Sequence, residues 1–117
     1  MSPDALARTW LEVFNRHDLD ALLALYAEDA THTSPKIRSL YPDSGGQLRG
    51  KVALRQWWTE ALARLPALHY AEVALTTHPT RAVLEYLRQV PGEIDLWVAE
   101  SFEIRSGRIV ASRVYHG

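Results

Sequence analysis

An α+β fold, with helices first and a curled, mostly antiparallel sheet after them, is what this sequence predicts. Three observations carry that reading. Apolar residues recur at helical spacing only before Pro66, and from residue 68 onward the chain alternates in the manner of strands. Between the alternating runs, Pro91-Gly92 and Ser106-Gly107 supply the chemistry of tight turns.

The elements follow in order. Ser2 and Pro3 form an N-cap and first helical position, and Leu6, Trp10, Val13 and Phe14 share one face behind them. After a break at residues 15–17, Asp18 caps a shorter helix with the stripe Leu19, Leu22, Leu23 and Tyr26. EDATHTS, residues 28–34, reads as a short strand that aims Ala30, His32 and Ser34 one way and Thr31 and Thr33 the other. Residues 35–50, PKIRSLYPDSGGQLRG, are rich in Pro and Gly and read as one irregular loop, anchored to close as a lid that brings Ile37 or Tyr41 onto a ligand. KVALRQWWTEALARL is a third helix that buries Leu54, Trp57 or Trp58, Ala61, Leu62 and Leu65 and is stopped by Pro66.

Strands are expected at 68–77, 81–90, 94–105 and 108–116, the last three as a meander. A two-residue loop at Pro91-Gly92 pairs Val90 with Glu93, and so sets Glu85 opposite Val98 and Val83 opposite Glu100. One face then carries Val83, Glu85 and Leu87 with Leu96, Val98, Glu100 and Phe102. The other carries Leu84, Tyr86 and Arg88 with Trp97, Ala99, Ser101 and Glu103. Both hold large apolar side chains, so both are expected to be covered, and alternation leaves open which one is inside.

Composition narrows the function classes. At 117 residues the chain reads as one domain, 1–117. Thirteen basic side chains nearly balance fourteen acidic ones, which argues against a nucleic-acid or membrane-surface partner. Without cysteine there is no disulfide, thiolate ligand or cysteine nucleophile. No apolar run is long enough to span a bilayer, and Met-Ser-Pro-Asp lacks the features of a signal peptide, so a cytoplasmic location is expected. The glycines and lysine of GGQLRGK do not follow a strand in the frame of a phosphate loop. The histidines and glutamates lack metal-ligand spacing, so neither a metal nor another cofactor is expected.

Three stretches, FNRHDLDALLALYAEDATHTSP, RGKVALRQWW and SFEIRSGRIVASRVY, together resemble the nuclear transport factor 2-like (NTF2-like) superfamily in its SnoaL-like and ketosteroid-isomerase-like branch. The resemblance implies a cone of three helices packed on a strongly bent, mixed sheet around a deep pocket, with Glu85 and Glu100 turned inward. It also implies a homodimer through the outer sheet face, here Leu84, Tyr86, Trp97 and Ala99. Carried over position by position, it puts Ser34 where the isomerases hold their Asp base and Trp10 where they hold an oxyanion-binding Tyr. Glu100 stands where they hold a carboxylic acid kept neutral by its surroundings, and Tyr26 and Trp58 match lining aromatics. A serine cannot replace the base, so the isomerase mechanism does not transfer unchanged.

The candidate catalytic residues are therefore Glu100, His32 and Glu85. Trp10, Phe14, Tyr26, Ser34, Trp58, Val98, Phe102, Ser112 and His116 are candidates for holding a small apolar organic ligand. A carboxylate between Val98 and Phe102 is costly to bury without a purpose, and a histidine beside it makes an acid–base pair. Each has a plainer reading as well: Glu100 paired with Arg55 or Arg113, His32 a hydrogen-bonded core residue, Ser34 a turn residue bonded to its own backbone. The functions these residues suggest are a cofactor-free isomerase, cyclase, hydrolase or dehydratase. The alternatives are a non-catalytic ligand-binding protein and a dimeric interaction module.

Overall fold

Ser2 starts the first helix as a cap. Its hydroxyl accepts the Ala5 N–H at 3.1 Å, and Pro3 opens α1, Pro3–Asn15. Asp18 repeats the device for α2, Leu19–Ala24, accepting the Ala21 N–H at 3.1 Å. The computed structural model describes residues 1–117. The chain continues through β1, Tyr26–Thr33, α3, Pro35–Leu40, a 3-10 turn at Pro42–Ser44, β2, Gln47–Arg49, and α4, Lys51–Arg64. The rest is β3, His69–His78, β4, Arg81–Gln89, β5, Leu96–Arg105, and β6, Arg108–His116. No helix is long and apolar enough to cross a membrane.

The six strands form one open mixed sheet in the order β2-β1-β6-β5-β4-β3, with only the β1–β6 pair parallel. α1 lies across β3 and β4, and α4 packs on β1, β2 and α2. Trp10, Phe14, Tyr26, Leu54, Leu84 and Phe102 fill the space between helices and sheet. Both Trp57 and Trp58 are buried from α4.

Residues 35–50 are not the single irregular loop expected. Ser34 Oγ accepts the Ile37 N–H at 3.2 Å and Pro35 takes the first helical position, so Ser34-Pro35 opens α3 by the same cap-and-proline signal as Ser2-Pro3. β2 then pairs with β1, and the α-helices number four rather than three.

The β4–β5 register also differs from expectation, by one residue. The turn at Pro91-Gly92 forms, with the Glu93 N–H on the Val90 carbonyl at 3.0 Å and Gly92 at φ +84°. It is not the whole connection, because Ile94 and Asp95 lengthen it before β5 begins at Leu96. Bonds from Arg88 to Glu93 (3.1 Å) and from Gln89 to Asp95 (3.1 Å) hold the longer loop. Leu84 now faces Glu100, Tyr86 faces Val98 and Glu85 faces Ala99.

A slip of one turns over every side chain of β4. Leu84 and Tyr86 are therefore on the concave face and buried, not on the outer face as expected. Glu85 is on the outer face beside Trp97 and Ala99, not in the pocket. β5 is placed as expected, with Val98, Glu100 and Phe102 inward and Trp97 outward and 53% exposed.

Candidate active site

The register across four strands builds the site. Glu100 on β5 lies between Leu84 of β4 and Val114 of β6, and Val98 lies between Tyr86 and His116. One row further in, Phe102, Ser112 and His32 stand side by side across β5, β6 and β1. Above this surface α1 and α4 leave a cavity of about 80 Å³, space for several water molecules.

Its walls are mostly aromatic. Trp10 stacks on Phe14 (centroids 5.2 Å), Phe14 on Tyr70 (4.3 Å) and Tyr70 on Tyr86 (4.0 Å), a continuous run of rings from α1 to the sheet. Trp58 covers the His32 ring at 5.1 Å.

The polar groups of the wall form two short systems that meet. Tyr86 O–H donates to Glu100 Oε1 at 2.8 Å, while Glu100 Oε2 is buried and has no hydrogen-bond partner in the protein. On the other side, Trp10 Nε1–H donates to Tyr26 Oη at 3.0 Å, and the Tyr26 hydroxyl points its own proton at Ser112 Oγ at 3.5 Å. Ser112 Oγ is 2.6 Å from His32 Nδ1. With Tyr26 aimed at the serine oxygen, the serine proton is directed to Nδ1, which assigns the second hydrogen of the neutral imidazole to Nε2. Nε2 has no protein partner and His32 lines the cavity.

His32 Nδ1 and Glu100 Oε2 are 3.9 Å apart. Burial disfavours charge on both: it pushes Glu100 up to about 7, only partly opposed by the Tyr86 hydrogen bond, and His32 down to about 4. Near neutral pH His32 is uncharged and Glu100 is about half ionised, so the two do not form an ion pair. Burial also raises the phenols of Tyr70 and Tyr86, helped by the adjacent Glu100 charge, so both remain hydrogen-bond donors.

Of the residues singled out from sequence, Glu100, His32, Trp10, Phe14, Ser34, Trp58, Val98 and His116 line the cavity. Tyr26, Phe102 and Ser112 are fully or almost fully buried behind its wall and do not line it. The Trp10 N–H is spent on Tyr26, and Ser34 on its helix cap. No arginine reaches Glu100, and Arg55 pairs instead with Asp20 at 2.9 Å. Tyr86, Tyr70, Lys36 and Arg64 line the cavity without having been singled out. Tyr86 is at the site because the β4 register differs by one residue from that expected. The Ser34-Pro35 cap is the local signal that puts Lys36 in the first turn of α3, at the cavity.

No curated protein matches the sequence. Among solved structures, a SnoaL-like protein of unknown function from Burkholderia thailandensis superimposes with a TM-score of 0.87 at 28% identity, over 98% of this chain and 94% of that one. TerC, co-crystallised with polyporic acid, superimposes with a TM-score of 0.83 at 17% identity, over 98% and 91%. An NTF2-like protein of unknown function from Burkholderia pseudomallei gives 0.84 at 24%, over 100% and 92%. These likenesses bear out the NTF2-like fold. The SnoaL-like domain model matches residues 7–112, and the chain belongs to that family.

Proposed function

We propose that this protein binds a small, largely apolar ring compound in the aromatic cavity and performs acid–base chemistry on it without a cofactor, as an isomerase or cyclase does. One observation carries the reading: Glu100 Oε2, buried, unpartnered and beside His32 at the wall of a cavity lined with rings. A buried polar atom that the protein itself leaves unpaired at a cavity wall is open to a group brought in by a ligand.

In its protonated form Glu100 donates from Oε2 to a ligand carbonyl oxygen, with Oε1 held by Tyr86, and His32 Nε2–H offers a second donor. Those donors hold and polarise the carbonyl oxygen. In its ionised form, populated above pH 7, Glu100 is the base that takes the proton in enolisation while His32 Nε2–H donates to the oxygen, and the carboxyl so protonated returns the proton to the ligand. Ser34 contributes no base, since its hydroxyl is occupied by the α3 cap. The TerC likeness, in a protein co-crystallised with an organic acid, supports a small-molecule occupant.

The test is the content of the cavity in the protein as purified, by native mass spectrometry and crystallography, followed by titration with small ring ketones and phenols read by tryptophan fluorescence. Binding in the parent that is lost in Glu100→Gln supports the proposal. Failure of every compound to bind, with an empty cavity, rejects it.

A further inference from the structure

The open end of the cavity is rich in basic side chains, and one carboxylate, Glu93, stands among them. Lys36 from α3, Arg64 from the last turn of α4 and His116 from β6 all line it. Arg88 of β4 lies on the same concave face, next along the strand from Tyr86. Four basic side chains thus converge from four separate elements. Arg88 is engaged with Glu93 at 3.1 Å, and Glu93 is the one carboxylate close enough to offset the charge on Lys36. Lys36 and Arg64 have no ion pair and no hydrogen bond to the protein.

That arrangement works against folding. Partial burial lowers the Lys36 pKa, with repulsion from Arg88 and Arg64 adding to it, and His116 is lowered in the same way, by partial burial first and by Lys36 and Arg88 second. The helix dipole explains Arg64 at the C-terminal end of α4, but Lys36 stands in the first turn of α3, the wrong end for a cation. Unpaired like charges gathered at the mouth of an apolar cavity suit an anion brought in from outside.

We infer that the ligand is an amphipathic acid: an apolar ring seated against Trp10, Trp58 and Tyr86, with an anionic oxygen group held at the rim between Lys36 and Arg64. The inference rests on the small-molecule reading above and narrows it. The rim attracts the acid, and the neutral depth of the cavity receives the ring, so the two ends of the ligand are told apart by charge. The Glu100 end then meets the part of the ligand remote from its acid group.

Matched acid and amide pairs test this: benzoate and benzamide, cinnamate and cinnamamide, 2-naphthoate and 2-naphthamide. Quenching of Trp10, Trp57 and Trp58 reports binding, since all three line the cavity. At low salt the acid of at least one pair binds about tenfold tighter than its amide, the size expected of two partly exposed ion pairs. The preference falls below about twofold in Lys36→Gln/Arg64→Gln and shrinks with added salt. It persists in Arg105→Gln/Arg108→Gln, which removes two charges at the remote β5–β6 turn. Equal binding of acid and amide, or a preference that survives the Lys36/Arg64 change, overturns the anionic ligand and leaves the cavity reading standing. Binding of no member of any pair counts against both.

Discussion

Replacing Glu100 by Gln keeps the shape of the side chain and its bond from Tyr86 while removing the titration. In the folded protein the Glu100 pKa is raised from 4.5 to about 7 by burial. Between those values the folded state holds a proton that the unfolded state has released, so stability is complete below about pH 4.5 and lost as pH rises through about 7. At about 1.4 kcal/mol per pH unit the loss is about 3 kcal/mol.

His32, lowered from 6.5 to about 4, has the opposite slope: the unfolded state binds the extra proton, so stability is present above 6.5 and lost as pH falls toward 4. The two slopes oppose each other between about pH 4.5 and 6.5, which flattens the parent's profile there. The informative quantity is therefore the difference between parent and Glu100→Gln, in which His32 largely cancels. That difference moves in favour of the variant by about 3 kcal/mol from pH 4.5 to pH 8, or roughly 12 °C in Tm. The amide protons of Gln find no better partners than Oε2 did, which adds an offset that does not change with pH. Urea unfolding or thermal melts of both proteins across this range measure it. A difference that is flat with pH, or a variant that loses several kcal/mol at pH 8 as a broken ion pair would, refutes the reasoning.

Tyr86→Phe removes the one hydrogen bond that favours the charged form of Glu100, so the carboxyl titrates at still higher pH; carbon-13 shifts of labelled glutamate follow the midpoint, and no upward movement refutes the assignment. Ser34→Ala costs about 1 kcal/mol through loss of the α3 cap; calorimetry checks this, and a neutral result means that α3 is held by its packing alone. The outer sheet face, where Trp97 and Tyr115 are half exposed beside Ala99, is proposed as a homodimer interface; light scattering should give a dimer that Trp97→Glu converts to monomer, and a monomeric parent ends the idea. Residues 35–49 were expected to bring Ile37 or Tyr41 onto a ligand, but Ile37 is buried in the core, Tyr41 packs on Trp57 and only Lys36 of this segment lines the cavity; closure on a bound ligand is proposed to act through Lys36, hydrogen exchange in α3 should slow on binding, and unchanged exchange argues for a fixed rim.

What could be read from the chain alone was what depends on near neighbours. The Ser2-Pro3 and Asp18 caps, the stripe of α1, the Ser106-Gly107 turn and the alternation of β5 are each complete within a few residues, and each is where it was expected. That Glu100 shares a face with Val98 and Phe102 followed too, but that this face is the inner one came from the family resemblance, because both faces carry large apolar residues. β4 was a different matter: its apolar residues occur on both faces, so its orientation depended on a loop length, and a register one residue longer across Pro91-Gly92 exchanged Glu85 for Tyr86 at the site. Ser34 carries a local signal of two meanings, since a polar residue aimed inward and a helix cap look alike until the next turn is known to be helical. The contact of His32 with Ser112, eighty residues apart, and the gathering of Lys36, Arg64, Arg88 and His116 exist only because a parallel β1–β6 pair and the bend of the sheet bring distant segments together. No local pattern encodes such a meeting, because its partners are chosen by packing of the whole sheet against α1 and α4.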